Sequence, residues 1–295
     1  MKISKFSNKF NNSFWIALIP ILWMLLFFII PIFLTLKISF SEATFSIPPI
    51  SSISNWIGHY LLEIKINLSN YVRIIEDSYY ISSFVHSIIL NTITTIICFL
   101  LGFSMTYGIC QCSDRFKNLL ILLLSLSFWT STLIRLYAWI NVLSNQGLIN
   151  NLLIKLGIIN SPIQILGNYY TVCSGLVFCY LPYMIYPIYS ILDKVDKSYI
   201  EAAYDLGCSP TKTFWQITLP LCKEGILTGS ILVFSTSIGE FVIPELLGGP
   251  DTLMFGRILW MEFYSNIDWP MTCALAIIMM IFIITPIFII QKSIK

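Results

Sequence analysis

The sequence predicts an all-α integral membrane protein that crosses the bilayer six times. Hydrophobic residues make up 57% of the 295 residues and charged residues only 11%, whereas a soluble domain carries about 25% charged residues. Six apolar segments are long enough for the roughly 17 to 25 helical residues that cross a hydrocarbon core. With no linker or second hydrophilic domain between them, a single transmembrane domain is expected over residues 1–295.

The spans follow directly from the apolar segments. They cover approximately residues 14–36, 84–108, 119–143, 169–192, 225–247 and 271–290. The first is interpreted as a span and not as a cleaved signal, because its apolar run is longer than the core of a signal peptide and no small-x-small site follows. Prolines inside the segments are expected to mark kinks, since neighbouring helices can satisfy the freed carbonyl groups.

The distribution of Lys and Arg between the loops predicts the orientation. With a cytoplasmic N-terminus, 11 basic residues lie on the cytoplasmic side and 5 on the other, and such an excess marks the cytoplasmic side. Both termini are therefore expected in the cytoplasm. The two longest hydrophilic stretches then lie on opposite sides, residues 37–83 outside and residues 193–224 inside.

Composition argues against several classes of function. A formal net charge of +2 gives no basic surface of the kind that nucleic acid requires. The pair Cys110 and Cys112, with His59 and His86 as the two histidines, does not complete a zinc set. Neither a nucleophile with its base nor an H-E-x-x-H motif is present. The chain is therefore expected to hold no metal and not to be an enzyme.

The cytoplasmic loop at 193–224 begins with a helix pattern. Tyr199, Ala203 and Leu206 recur at i, i+4 and i+7, which is the spacing of one helical face. Gly207 suits the left-handed conformation that commonly ends a helix. The loop therefore predicts a short helix that stops at this glycine.

A second short helix is predicted after the turn. Ser209 is typical of an N-cap and Pro210 of a first helical position. The helix is expected to run to Leu219 and to stop at Pro220. Together the two helices predict a hairpin in the cytoplasm.

The first helix of this hairpin has the features of a docking surface. Ala202 and Ala203 are small enough to let another backbone approach, and the carboxylates of Glu201 and Asp205 flank them. Ala203 is expected to face the partner. On the local pattern alone, an ordinary solvated loop between two spans remains an open interpretation.

These residues resemble the EAA loop of the permeases of ABC importers. Glu201-Ala202-Ala203 is followed by Gly207 and by Leu219-Pro220, between the fourth and fifth of six spans. The resemblance implies the six-helix type I importer permease fold, also called MetI-like. It also implies a coupling loop that sits in a groove of a separate ATPase subunit. The residues of this loop are Glu201, Ala202, Ala203, Asp205, Gly207, Leu219 and Pro220.

Further stretches are similar to the polyamine branch of the family. They are residues 128–139, 150–157, 239–251 and 268–270, so the resemblance extends over nearly the whole chain. Residues 239–251 are most similar to putrescine-importing members. The resemblance therefore implies a polyamine cargo, with putrescine favoured over spermidine.

The same resemblance implies the partners. The chain has no G-x-x-x-x-G-K-[ST] loop to cradle phosphates, so ATP and Mg are expected on the partner ATPase and no cofactor on this chain. The expected complex lies in the cytoplasmic (inner) membrane. It contains a homologous second permease as a heterodimer partner, two copies of the ATPase and an extracytoplasmic polyamine-binding protein. Closure of the ATPase would move the hairpin and switch the membrane helices between two states.

Arg135 and Glu240 are expected well inside the hydrocarbon. On straight helices they would lie roughly 24 and 22 Å from the inner surface, at about 1.5 Å per residue. A charge at the centre of a span costs about 2.5 to 3.5 kcal/mol and needs a partner or a wet cavity. Three interpretations of Glu240 stay open: an ion pair with Arg135, a counter-charge for a passing ammonium group, or a lining position without direct contact.

Nearby aromatic and acidic residues are candidates for the substrate pathway. Trp129, Tyr137 and Trp139 could contact a polyamine through cation–π interactions of about 0.5 to 2 kcal/mol, although packing or an interfacial position is the commoner role. Glu245 is a further candidate. It belongs to a group of acids that form either an electronegative vestibule or ordinary solvated loop charges, together with Asp251, Glu262 and Asp268. Because one buried acid cannot bind both ends of a dication, a second wall is expected from the partner permease.

A secondary, ion-coupled carrier of small organic cations is the main alternative function. Six helices with buried charge are compatible with ion coupling. Such carriers usually contain inverted repeats, interrupted helices and titratable relays, and the sequence shows no such repeat or relay.

Overall fold

Helices form nearly all of the regular structure, so the predicted all-α class is confirmed. The structure is a computed structural model that describes residues 17–44, 48–51, 54–57, 61–64, 67–196, 198–250 and 252–294. One short antiparallel hairpin departs from the prediction, with strands β1 (Ser54–Ile57) and β2 (Leu61–Ile64). The chain divides into two compact units, comprising the described residues of 1–78 with 259–282 and those of 79–258 with 283–295.

The first unit begins with the continuous helix α1 (Ala17–Ser39), which contains a π-helical turn at Leu25–Ile29. The amphipathic helix α2 (Ser69–Glu76) is fixed to the end of α1. The buried Asn70 Nδ2 donates to the carbonyl oxygens of Ser39 and Ser41 at 3.1 and 2.9 Å. These bonds satisfy carbonyl groups that a helix end leaves without partners.

The remaining helices are numbered in chain order. They are α3 (Ser78–Gln111), α4 (Asp114–Trp129), α5 (Thr132–Leu143), α6 (Leu148–Lys155), α7 (Tyr169–Leu192), α8 (Ser198–Asp205), α9 (Pro210–Leu221), α10 (Lys223–Ile238), α11 (Val242–Leu247), α12 (Phe255–Tyr264) and α13 (Trp269–Ile294).

Helices long and apolar enough to cross a membrane lie at the predicted positions. Among the described residues, α1, α3 and α7 qualify as continuous helices, and two bent pairs, α4 with α5–α6 and α9 with α10, qualify as broken spans or re-entrant loops. The last predicted span corresponds to α13, another apolar helix. Residues 14–16 of the first predicted span lie outside the described residues.

The third predicted span is wrong as a continuous helix. The segments Asp114–Trp129 and Thr132–Lys155 meet at 101°, and Thr130 between them is extended. The hydroxyl side chains of Thr130 and Ser131 compete with the backbone for hydrogen bonds and so favour a helix end. The straight-helix depth expected for Arg135 therefore does not apply.

The fifth predicted span is also interrupted. Residues 239–241 are not helical and separate α10 from α11. Gly239 is the C-cap residue of α10. Pro244 lies in the first turn of α11, where no backbone N–H is needed. Glu240 consequently lies in a short link between two helices and not within one.

Small residues bring α7 and α10 into close contact. A Cβ atom at Gly225 would lie 2.7 Å from the carbonyl oxygen of Pro187, and one at Gly229 would lie 2.7 Å from Sδ of Met184. Two glycines four residues apart form the small-xxx-small pattern that lets membrane helices approach each other. This contact fixes α10, and with it the link at Glu240, against α7.

Candidate functional site

Residues from both helix breaks line one cavity of about 400 Å³ in the second unit, the break cavity. Its walls come from the start of α5, the middle of α7 and the link before α11. The lining residues are Thr132, Leu133, Arg135, Cys179, Tyr180, Tyr183, Thr236, Glu240 and Val242. Non-helical backbone within a membrane is tolerated where it is buried in protein or lines a water-filled cavity. The position of the two breaks beside this cavity agrees with that rule.

Each carboxylate oxygen of Glu240 accepts one hydrogen bond. Tyr180 donates its phenol O–H to Oε2, and the backbone N–H of Val242 donates to Oε1 at 2.9 Å. Hydrogen bonds to an ionised group are roughly twice as strong as neutral ones. Since a carboxylate has about four acceptor positions, the half-buried group can accept further donors from the cavity.

Arg135 lines the same cavity without pairing with Glu240. Its Nη1 donates to Oγ of Ser127 at 2.9 Å and its Nη2 to Oγ1 of Thr132 at 3.3 Å, while Nε is buried and has no hydrogen-bond partner among the described residues. In the described part of the chain, no contact within 4.0 Å joins the guanidinium to the carboxylate. The expected direct ion pair is not formed in this conformation, because neutral hydroxyl groups beside the break hold the guanidinium.

A glycine in α12 leaves room for the backbone of the link. A Cβ atom at Gly256 in α12 would lie 2.6 Å from the carbonyl oxygen of Glu240 and 2.9 Å from that of Gly239. Real Cβ atoms do not approach this closely, so only glycine leaves room for the link in its observed position.

Tyr180 and Tyr183 belong to the site but were missed from the sequence. With Tyr186 they recur every three residues along α7, and residues three apart share a helix face. The Tyr183 and Tyr186 rings contact Phe128 with centroids 5.2 and 5.3 Å away. A three-residue repeat of tyrosine inside a span was the available signal, but ordinary packing produces the same repeat.

The aromatic residues expected in the pathway do not line the break cavity. Trp129, the last residue of α4, is 88% exposed, and Tyr137 is also exposed. Trp139 stacks on Phe178 with centroids 4.7 Å apart and donates from Nε1 to Oγ of Ser174 at 3.3 Å. It lines a separate apolar cavity of about 800 Å³ between α3, α5 and α7.

The expected group of outer acids is engaged in local contacts. Glu245 pairs with Arg257, Oε2 to Nε, at 2.6 Å. Asp268 Oδ1 accepts the N–H of Met271 at 3.0 Å, which caps the start of α13. Glu262 is buried and accepts from Asn266 Nδ2 at 2.9 Å. Asp251 lies outside the described residues.

The hairpin α8–α9 has the turn that the sequence predicts. Gly207 has a φ of +80°, and the N–H of Cys208 donates to the carbonyl oxygen of Ala203 at 2.9 Å. Ser209 caps α9 by accepting the N–H of Lys212. At the other end, the exposed Asp196 accepts the N–H of Ser198 at 3.0 Å, and this bond holds the pKa of its carboxyl below the usual range.

Ala203 is buried inside the hairpin, whereas the sequence predicts that it faces the partner. It is only 4% exposed, because α8 packs against α9 and leaves this position inside the hairpin. Glu201, Ala202 and Asp205 are exposed. Among the described residues of the hairpin, Leu206 is the apolar side chain with the highest exposed fraction, at 85%.

The predicted end of the second helix is also slightly wrong. α9 continues past Pro220 to Leu221. A π-helical turn at Phe214–Thr218 comes first, and Pro220 lies in the first turn of the segment after it. The missing N–H of proline costs little there.

Aromatic contacts join the hairpin to the membrane helices. The Phe214 ring meets Phe103 and Tyr107 of α3 edge-on, with centroids 5.5 and 5.8 Å away. Nearby, Lys117 Nζ lies 2.8 Å from Oδ1 of Asp193 and so links the start of α4 to the end of α7. The hairpin is therefore in direct contact with α3 through Phe214.

Sequence comparison shows relatives over nearly the full chain. A family model described as "Binding-protein-dependent transport system inner membrane component" matches residues 10–295. The spermidine/putrescine transport system permease protein PotB of Haemophilus influenzae is 32% identical over 97% of this chain and 96% of its own length. PotB of Salmonella typhimurium is 32% identical over 92% of this chain and 90% of its own.

Structure comparison shows the same architecture. A bacterial ABC transporter involved in the import of the acidic polysaccharide alginate aligns with a TM-score of 0.70 at 14% identity, over 100% of both chains. The MetNI methionine ABC transporter aligns with a TM-score of 0.54 at 12% identity, over 73% of this chain and 92% of that one. The predicted importer permease fold is confirmed. The chain therefore belongs to the family of binding-protein-dependent transport system inner membrane components, as a multi-pass permease subunit and not an enzyme.

Proposed function

We propose that this permease imports a polyamine, with putrescine as the favoured cargo and spermidine as the alternative. The names of the relatives from Haemophilus influenzae and Salmonella typhimurium contain both amines. The observation that carries the proposal is the break cavity. There Glu240 presents a carboxylate beside two tyrosine rings, Tyr180 and Tyr183, and no cation among the described residues pairs with it.

The chemistry of this cavity suits an alkylammonium ion. A carboxylate accepts the ammonium protons, and phenol rings attract a cation over their faces by about 0.5 to 2 kcal/mol. Tyr180 and Tyr183 supply these rings in place of the aromatic residues expected from the sequence. One carboxylate binds one end of a diamine, so a homologous second permease is proposed to supply the wall for the other end.

The hairpin is proposed to couple this chain to a separate ATPase, which binds ATP and Mg. Its exposed residues Glu201, Ala202, Asp205 and Leu206 form the docking face. Phe214 would pass a displacement of the hairpin to α3 through its two ring contacts. Two copies of the ATPase, an extracytoplasmic binding protein and cytoplasmic termini complete the proposed arrangement.

The test is uptake by the complete complex. The chain is tagged, its complex is co-purified from native membrane, and it is reconstituted into vesicles that contain ATP. Radiolabelled putrescine and spermidine are then offered with each binding protein supplied. ATP-dependent accumulation that requires the binding protein is expected, with putrescine preferred.

The same measurement separates the importer from the secondary carrier. Interrupted helices also occur in carriers, but family membership favours the importer. Uptake that continues without ATP and collapses with an ionophore would contradict the proposal. Uptake of neither amine would contradict the cargo.

A further inference from the structure

The guanidinium of Arg135 lies in the break cavity, and only some of its hydrogen-bond donors have partners there. Two of its five donors reach the neutral oxygens of Ser127 and Thr132, and the buried Nε has no hydrogen-bond partner in the part of the chain that the structure describes. A guanidinium is best matched by a carboxylate, which accepts two of its donors in parallel. In this arrangement the guanidinium therefore does not make the carboxylate pairing that would suit it best.

Glu240 is in the complementary situation. Its two hydrogen bonds come from a phenol and a backbone amide, and no cation lies within 4.0 Å in the residues that the structure describes. Two opposite charges within a membrane span are commonly paired with each other. Here they share one cavity of about 400 Å³ and remain apart.

The backbone at both positions permits a second arrangement. Arg135 lies in the first turn after the break at Thr130 and Ser131, and Glu240 lies in the link 239–241. Hinges of this kind are residues at element ends that absorb torsion changes while the adjoining helices stay intact. A torsion change at either break would move the guanidinium and the carboxylate relative to each other.

We infer that Arg135 is an internal competitor of the cargo for Glu240. In the described arrangement, Ser127 and Thr132 hold the guanidinium aside and leave Glu240 open to an ammonium group. In the second arrangement the guanidinium pairs with Glu240, and the ammonium group is displaced. Arg135 thus determines release, while Tyr180 is a positioning residue that holds the carboxylate ready for cargo. The inference rests on the proposed function, since it requires a cationic cargo.

Competition between Arg135 and the cargo for one carboxylate affects both cations equally. Each cation lowers the affinity of Glu240 for the other by the same factor. Removing the guanidinium should therefore strengthen cargo binding, and releasing it from its hydroxyl partners should weaken cargo binding. Simple repulsion by a fixed Arg135 would give the first effect without the second.

The test measures binding of radiolabelled putrescine to the co-purified complex in nanodiscs, without binding protein, together with uptake. Arg135→Gln is expected to bind putrescine about tenfold more tightly and to import it more slowly. Ser127→Ala keeps the charge and removes one hydroxyl, so it is expected to bind putrescine several-fold more weakly. Lys155→Gln removes an exposed charge at the end of α6 and serves as the control.

The two variants are expected to change the affinity for putrescine in opposite directions, so each outcome either supports or overturns the inference. Equal or weaker binding by Arg135→Gln, or unchanged binding by Ser127→Ala, would overturn the inference. If Arg135→Gln fails to reach the membrane, Ser127→Ala alone decides. A wild-type complex that neither binds nor imports putrescine or spermidine would refute the proposed function itself, whereas a functional wild type with unchanged variants refutes only the competition.

Discussion

Glu240 receives one hydrogen bond from another helix and one from the backbone two residues further along the chain. Tyr180 belongs to α7, which packs closely on α10, and the N–H of Val242 begins α11. Gly256 leaves room for the backbone of the link. At the scale of single residues, the position of the carboxylate therefore depends on a phenol, a helix start and a missing Cβ atom.

Tyr180→Phe tests the phenol. The substitution keeps the ring and removes a hydrogen bond to a charged group, which contributes about 1.5 to 3 kcal/mol. We expect reduced putrescine uptake with a raised KM and normal abundance in the membrane. Tyr170→Phe, on the same helix and 87% exposed, is the matched control. Equal uptake kinetics in the two variants would show that the phenol does not position Glu240.

Gly256→Ala tests the close approach of α12 to the link. The added Cβ atom would lie 2.6 Å from the carbonyl oxygen of Glu240, and overpacking of this kind costs about 1 to 3 kcal/mol. We expect lower thermal stability and lower uptake. Gly108→Ala in α3 has no heavy atom within 4 Å of its new Cβ and should be neutral or slightly stabilising. A neutral Gly256→Ala would contradict the packing described for the link.

At the scale of elements, the sequence predicts where the spans lie better than whether they are continuous. Hydropathy averages over a window, so a link of three residues such as 239–241 does not interrupt an apolar segment. The local signals were present: Gly239 and Pro244 flank one break, and Thr130 with Ser131 forms the other. They were outweighed because membrane helices often tolerate glycine, proline and hydroxyl residues.

The candidate site was predicted only in part for the same reason. Arg135 and Glu240 stand out as charges within apolar segments, and the structure does bring them to one cavity. Which aromatic residues join them depends on the direction in which α5 and α7 present their side chains, and the 101° bend changes that direction for α5. Trp139 consequently packs on Phe178, while Tyr180 and Tyr183 face the cavity.

The hairpin allows a test that separates folding from docking. Ala203→Asp would bury a charge, at a cost of at least about 2 kcal/mol, so we expect loss of stability. Leu206→Asp changes a side chain that is 85% exposed and should leave the permease folded while weakening its association with the ATPase. Co-purification and thermal unfolding distinguish the two effects. A Leu206→Asp variant that retains full ATPase association would remove Leu206 from the docking face.

At the scale of the whole molecule, the hairpin and the break cavity both belong to residues 79–258. Within this unit, Phe214 connects the hairpin to α3, and the glycines of α10 connect the link to α7. Coupling can therefore be argued from contacts inside one unit. Under the proposed function, transport would be a two-state equilibrium that nucleotide binding to the partner ATPase and cargo binding bias from opposite ends.

Phe214→Ala tests this connection. The substitution removes both ring contacts to α3, while the exposed face of α8 is unchanged. We expect the ATPase to remain bound and to hydrolyse ATP, with the ratio of putrescine imported to ATP hydrolysed falling severalfold. Leu221→Ala, at an exposed apolar position at the end of α9, is the control for this ratio. An unchanged ratio in Phe214→Ala would exclude the aromatic contact as a transmission element.

The most direct test of the account is transport by Glu240→Gln in the reconstituted complex. The glutamine oxygen can still accept the N–H of Val242, and its NH2 group can donate to the Tyr180 oxygen in place of the original bond. Glutamine has no charge for an ammonium group, so the complex should assemble and hydrolyse ATP yet import little putrescine. Import by Glu240→Gln at the wild-type rate would contradict the assignment of the break cavity as the cargo path.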